Sequence, residues 1–197
     1  MHTLTPSPRT KVIGAGMILG PLLLLASTAA SLSGDGLGED SAGGVLQIHA
    51  FVGLMLATIG LTELCQRHLP RAAAALTLMA ALGVAGGVAY GLNSIYVDMG
   101  AMDLNEQTGA TTSLALQLPG ILFPLSFIGL GLALFRSAIP LRWCGLALIA
   151  GGVLFPISRI GDIEALAPVP DILFLLGLAP IGLALLRGQD VAGAGAP

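Results

Sequence analysis

Charge is what this sequence has least of. Asp, Glu, Lys and Arg make up 10% of its 197 residues, against about 25% in an ordinary soluble domain. So few charges cannot coat a water-exposed globule, which excludes a soluble enzyme. With 55% hydrophobic residues, a disordered chain is excluded as well. Lys and Arg number 8 against 11 acidic residues, a net charge of −3. No polybasic surface for nucleic acid or anionic lipid can be built from that set.

Cysteine and histidine are also scarce. Cys65 and Cys144 are too few for a disulfide framework, and no CxxC redox motif is present. Cys65-Gln66-Arg67-His68 is a CxxH, which with Glu63 and Cys144 offers four donors at one membrane face. Zinc sites show tighter paired spacings, and Arg67 within the motif disfavours a cation. The expectation is therefore two packed thiols and no metal. The histidines are His2, His49 and His68. His49 and His68 lie 19 residues apart on one helix, near opposite membrane faces, and cannot clamp one haem iron from its two sides. No cofactor is expected, although a bound lipid or pigment leaves no motif to read. The GxSxG, GxxxxGK[ST] and HExxH motifs are missing too.

What the chain does have is long apolar runs and a mean hydropathy of +0.90. About 20 apolar residues cross ~30 Å of hydrocarbon. Six runs qualify, and they predict spans at roughly 12–32, 45–65, 71–93, 113–135, 141–158 and 169–187. The fold class is an all-α, polytopic membrane protein: a six-helix transmembrane domain over 12–187, a tail at 1–11 and a small flexible tail at 188–197. The polar stretch 93–112 reads as a structured cap or a short surface helix.

The loops alternate in sign. Arg9, Lys11, Arg67, Arg71, Arg136, Arg142 and Arg187 fall on one face, seven of the eight basic residues. Asp35, Glu39, Asp40, Asp98, Asp103, Glu106, Asp162, Glu164 and Asp171 fall on the other. Lys and Arg bias sets orientation, so both termini are expected in the cytoplasm of a bacterial-type cell membrane. The competing reading of the first run is a cleaved signal peptide. Its apolar stretch of about 20 residues exceeds the 7–15 of a typical signal h-region.

Glycine is abundant, 28 residues, roughly twice the usual share. Gly83, Gly87 and Gly91 form two overlapping GxxxG units on the third span. They predict close packing within the bundle, with a homodimer or partner seam as the alternative. A repeat also shows. Ile121-Leu122-Phe123 with Gly131-Leu132-Ala133-Leu134 recurs 51 residues later as Ile172-Leu173-Phe174 with Gly182-Leu183-Ala184-Leu185.

Three places carry the candidate chemistry. On the second span, His49, Gly53, Leu56, Gly60 and Glu63 share one helical direction. That face is expected inside the bundle, with Glu63 as an intramembrane ionisable residue. Its simplest role is pairing with Arg67 or His68. On the fourth and fifth spans, Pro119, Pro124 and Pro156 interrupt apolar runs and predict kinks. At the acidic face, Arg159 is the lone basic residue, with His49, Asn93, Gln117, Asp162 and Asp171 at similar depth. These outline a ligand site anchored by Arg159, or else an ion pair to Asp162 or Asp171 that holds the turn shut. The first functional expectation is an accessory or scaffold subunit packed against partner chains or membrane lipids. The alternatives are a small transporter or ligand-binding protein near Arg159 and His49, and an intramembrane enzyme using acidic-face carboxylates.

Overall fold

A computed structural model describes residues 6–34, 36–66, 69–107, 109–136 and 141–189. Six helices are long and apolar enough to cross a membrane: α1 Pro8–Ser33, α2 Ser41–Gln66, α3 Pro70–Asp98, α4 Ala110–Arg136, α5 Arg142–Ile160 and α6 Pro168–Leu186. No strand is present among the described residues. Most helices run past the expected ends, because apolar windows stop at the first polar residues while the backbone does not. The six residues Asn93–Asp98 continue α3 as helix, where a structured cap or a short surface helix had been expected. The remainder of that connection is a single 3-10 turn, Leu104–Glu106.

Each helix packs on its neighbours in sequence, and α1 packs on α6, so the six spans close into an antiparallel ring. The start of α1 and the end of α6 lie at one end of the ring, here called proximal. The opposite, distal end carries the α1–α2, α3–α4 and α5–α6 connections. Every span shows exposed apolar side chains on its outer flank, such as Leu19, Val52, Leu78, Leu125, Leu146 and Leu176. Such a surface suits hydrocarbon.

Four seams are built on glycine meeting glycine: Gly53 with Gly20, Gly44 with Gly91, Gly131 with Gly145, and Gly182 with Gly14. A Cβ on Gly53 would stand 2.7 Å from the Gly20 Cα. No side chain fits there, and that absence lets the backbones touch. The ridge on α3 is used the same way within the chain. Gly83 meets the Phe123 backbone, Gly87 lies under the Phe51 ring, and Gly91 meets Gly44 and Ile48.

The interior is aromatic at mid-depth. Phe51, Phe123, Phe127, Phe155 and Phe174 are five of the chain's six phenylalanines. Phe123 stands at the centre, with ring centroids 4.7 Å from Phe51, 5.0 Å from Phe127, 5.2 Å from Phe155 and 5.7 Å from Phe174. Edge-on pairs of this kind add about 0.5–1.5 kcal/mol each beyond burial. Below them Leu61, Leu130, Leu134, Leu148 and Leu178 fill the proximal half.

The 51-residue repeat has matching surroundings in its two copies. Phe123 and Phe174 both enter the aromatic cluster. Gly131 and Gly182 both form glycine seams, while Leu132 and Leu183 both face outward.

Candidate functional site

The distal end of α5 delivers Arg159 into the ring instead of out to water. Its Nη2 donates to Thr28 Oγ1 at 2.5 Å and to Asp171 Oδ2 at 3.3 Å. Thr28, on α1, donates its own hydroxyl proton to Asp171 Oδ2 at 2.5 Å. Three helices thus meet at one polar triangle. One turn below, the Phe155 ring centroid lies 5.4 Å from the guanidinium carbon, a cation–π contact.

Asp171 is fully buried in the first turns of α6. The helix N-terminus favours a carboxylate there. Pro168 and Pro170 occupy that first turn at little cost, since its N–H groups have no helical acceptor anyway. Burying a carboxylate costs several kcal/mol, which its partners must offset. The pairing is incomplete. Asp171 Oδ1 and Arg159 Nε are buried with no hydrogen-bond partner among the described residues, and so is Asn105 Oδ1. Such orphaned atoms are rare in a finished core.

Beside this triangle a cavity of about 570 Å³ opens into the distal half of the ring. Five of the six helices contribute to its wall. Its floor is the aromatic cluster: Phe51, Phe123 and Phe155, with Leu24 beside them. Its upper wall is polar: Gln47, Tyr90, Ser94, Asn105, Gln117 and Arg159. The Gln47 side chain is tied to the Gly87 carbonyl at 3.1 Å.

Two features of α4 shape the cavity. Ser113–Gln117 is a π-helical turn. Pro119, which has no N–H, follows it and leaves the Ala115 carbonyl without its helical donor. A widened turn is one way to absorb that loss, and such turns recur at functional sites. Farther along, Pro124 and Pro156 both line the cavity.

The candidate residues fare differently. Arg159 and Asp171 come together, and Gln117 lines the cavity while its Oε1 accepts from Ser113 Oγ at 3.0 Å. Asn93 is buried but off the cavity wall, and it fastens the α3–α4 connection instead. Its Nδ2 donates to Asp103 Oδ1 at 2.7 Å, and its Oδ1 accepts from the Leu104 N–H at 3.0 Å.

Asp162 does not join Arg159. It is exposed in the turn after α5 with φ of 50°, a left-handed position that Asp tolerates.

His49 is a second correction. It is exposed, and its Nδ1 lies 2.8 Å from the Val45 carbonyl. Gly53 and Gly60 on the same helical direction are buried against α1. At the distal end, however, α1 meets α2 at Gly43, where Ser27 Oγ donates to the Gly43 carbonyl at 2.7 Å. Gly43 points well away from the His49 direction, so the contact stripe drifts around α2 and leaves His49 outside it. The other side of α2 is buried as well, with Phe51, Leu54, Thr58 and Leu61 turned into the ring.

Glu63 is half-buried and pairs with Arg9 of α1. The sequence had pointed to Arg67 or His68, which lie outside the described residues. Cys65 and Cys144 are buried free thiols. Among the described residues no three His, Cys, Asp or Glu side chains are grouped to hold a metal ion.

Sequence reasoning missed Thr28. A lone Thr in a small-residue run carries no signal until the fold sets it against Arg159. The chain matches no protein-family model, no curated protein and no solved structure, so the functional reading rests on the geometry.

Proposed function

We propose that this multi-pass membrane protein binds a small ligand in its distal cavity, with Arg159 holding the ligand's polar end. Of the readings drawn from sequence, this is the transporter or ligand-binding one. One observation carries it: Arg159 lines a cavity of about 570 Å³ with its side chain 24% exposed, and of its three nitrogens only Nη2 is hydrogen-bonded among the described residues. Ligand pockets typically measure about 300–1,000 Å³, with apolar walls and a few placed polar groups. A scaffold subunit needs no such interior. Its apolar flank is shared by any multi-pass protein and does not single it out. The enzyme reading needs convergent carboxylates, whereas Asp171 is buried with Arg159 and both Asp162 and Glu164 are exposed.

The basic proximal end supports a cytoplasmic location for both termini. On that orientation the cavity faces the outside of the cell membrane.

The test is ligand-induced stabilisation of the purified chain in lipid nanodiscs. Anions of graded size, from acetate and inorganic phosphate to long-chain carboxylates, are added and the melting temperature is followed. At least one should raise it in the native chain and leave Arg159→Gln unmoved. No shift with any of them would remove the reading.

A further inference from the structure

The geometry points to a single-chain anionic amphiphile, drawn sideways from the membrane, as the ligand of the distal cavity. This rests on the ligand-binding reading above and names its substrate class.

The first argument is the order of polarity with depth. On α2, Gln47 lies six residues from the distal end and Phe51 ten, roughly 9 and 15 Å down at ~1.5 Å per residue. On α5, Arg159 lies above Phe155. On α4, Gln117 lies above Phe123. The polar side chains of the wall therefore sit at interface depth, with Leu37 and Ile160 among them, and the wall is apolar toward the bilayer centre, whose half-thickness is about 15 Å. That is the gradient of one lipid leaflet. A fully polar solute would leave the phenylalanine floor unmatched, and a pure hydrocarbon would leave the open edge of the Arg159 guanidinium unmatched. An amphiphile standing as a lipid stands satisfies both.

The second argument is size. At roughly 30 Å³ per water-sized group, 570 Å³ holds about twenty such groups. That is the size of one long-chain carboxylate. A two-chain phospholipid is well beyond it.

The third argument is access. The close contact between α4 and α5 runs from Gly131 against Gly145 to Gly152 against the Pro124 carbonyl. Distal to it, Ile121 on α4 and Ile160 on α5 both line the cavity, and they are 48% and 77% exposed. The seam that sets Gly152 against Pro124 puts Ile121 level with about Phe155, five residues or roughly 7–8 Å below the distal end of α5. At that depth the exposed flank borders one leaflet. The gap between α4 and α5 is thus a side opening through which a leaflet molecule enters without turning over.

The head group follows from Arg159. Nη2 is committed to Thr28 and Asp171 and Nε is shut off by burial, so the nitrogen open to a ligand is Nη1. A carboxylate accepts from its N–H as a charge-assisted hydrogen bond. Asp171 does not line the cavity, and its bonded oxygen faces Thr28 and Arg159.

The experiment uses the full chain in phosphatidylcholine nanodiscs and a long-chain fatty acid with a diazirine near its methyl end. Illumination should label peptides containing Phe51, Phe123 and Phe155, and excess oleate should compete. Labelling of the lipid-facing flank at Leu176 should not be competed. Arg159→Gln should cut the competed labelling roughly ten-fold or more, the loss of one hydrogen bond to a charged group. Ile121→Trp narrows the opening from an exposed position. It should reduce floor labelling with the melting temperature unchanged, so the proposal is tested even where Arg159→Gln fails to fold. Floor labelling that oleate does not compete would overturn the amphiphile. If acetate or inorganic phosphate then still stabilises the native chain and not Arg159→Gln, the ligand-binding reading stands and the amphiphile alone falls. If neither fatty acid nor soluble anion acts, both fall.

Discussion

Arg159 on α5 and Asp171 on α6 face each other across the distal turn, Nη2 to Oδ2 at 3.3 Å, with Thr28 of α1 bonded to both. The pair therefore fixes three helices at once. Asp171 is fully buried, so removing Arg159 leaves an uncompensated charge. Arg159→Gln should lower stability by about 3–5 kcal/mol, the cost of breaking a buried pair. Thr28→Val removes the bond donated to Asp171 and the one accepted from Arg159 but leaves the two charges paired, and should cost less, about 1.5–3 kcal/mol. Melting temperatures in one detergent rank the two. A Thr28→Val loss equal to or above that of Arg159→Gln would reject the pair as the main contact.

The glycine seams separate backbone contact from side-chain contact. A Cβ on Gly53 meets the Gly20 backbone at 2.7 Å, whereas one on Gly60 meets side chains, the Ile13 Cγ2 methyl at 2.5 Å and the Met17 Cε at 2.6 Å. A methionine end can swing away and a backbone cannot. Gly53→Ala should therefore cost more than Gly60→Ala, within the roughly 1–3 kcal/mol of overpacking. Equal melting temperatures for the two variants would mean that α1 and α2 slide to relieve both.

Arg9 and Glu63 join α1 to α2 at the proximal end, with side chains 71% and 41% exposed. Exposed pairs contribute at most about 1 kcal/mol. Arg9→Ala should leave the melting temperature nearly unchanged. A loss comparable to that of Arg159→Gln would show that this pair is shielded in the membrane-bound protein.

The spans were legible because hydrocarbon thickness and charge scarcity act residue by residue. Arg159 was legible for the same reason, as a lone cation on an acidic face. Its partner was narrowed to Asp162 or Asp171, but the choice needed the left-handed turn at Asp162, which no spacing reveals. His49 was misjudged because a straight helical wheel assumes one contact direction along the whole of α2. Crossing helices shift that direction, so Gly43 and not the His49 side meets α1 distally. The cavity was illegible altogether. Phe51, Phe123 and Phe155 stand in apolar runs like any others, and whether the space between them is full depends on how the helices pack.

Sidedness is open to direct measurement, because the native cysteines stay silent. Cys65 and Cys144 are 3% and 0% exposed, so a membrane-impermeant maleimide should not reach them. Glu39 in the α1–α2 connection and Arg142 at the start of α5 are exposed at opposite ends of the ring. Each can be replaced by Cys without disturbing a hydrogen bond or ion pair of its side chain seen among the described residues. The basic residues gather at the Arg142 end, and from that bias the expectation is that this end lies in the cytoplasm. In intact cells Glu39→Cys should label at once, and Arg142→Cys only after the membrane is opened. The reverse pattern would invert the protein and turn the cavity, with Arg159, toward the cytoplasm. The ligand would then come from the inner leaflet. Labelling of both sites in intact cells would mean two orientations, and a single-sided carrier could not be maintained.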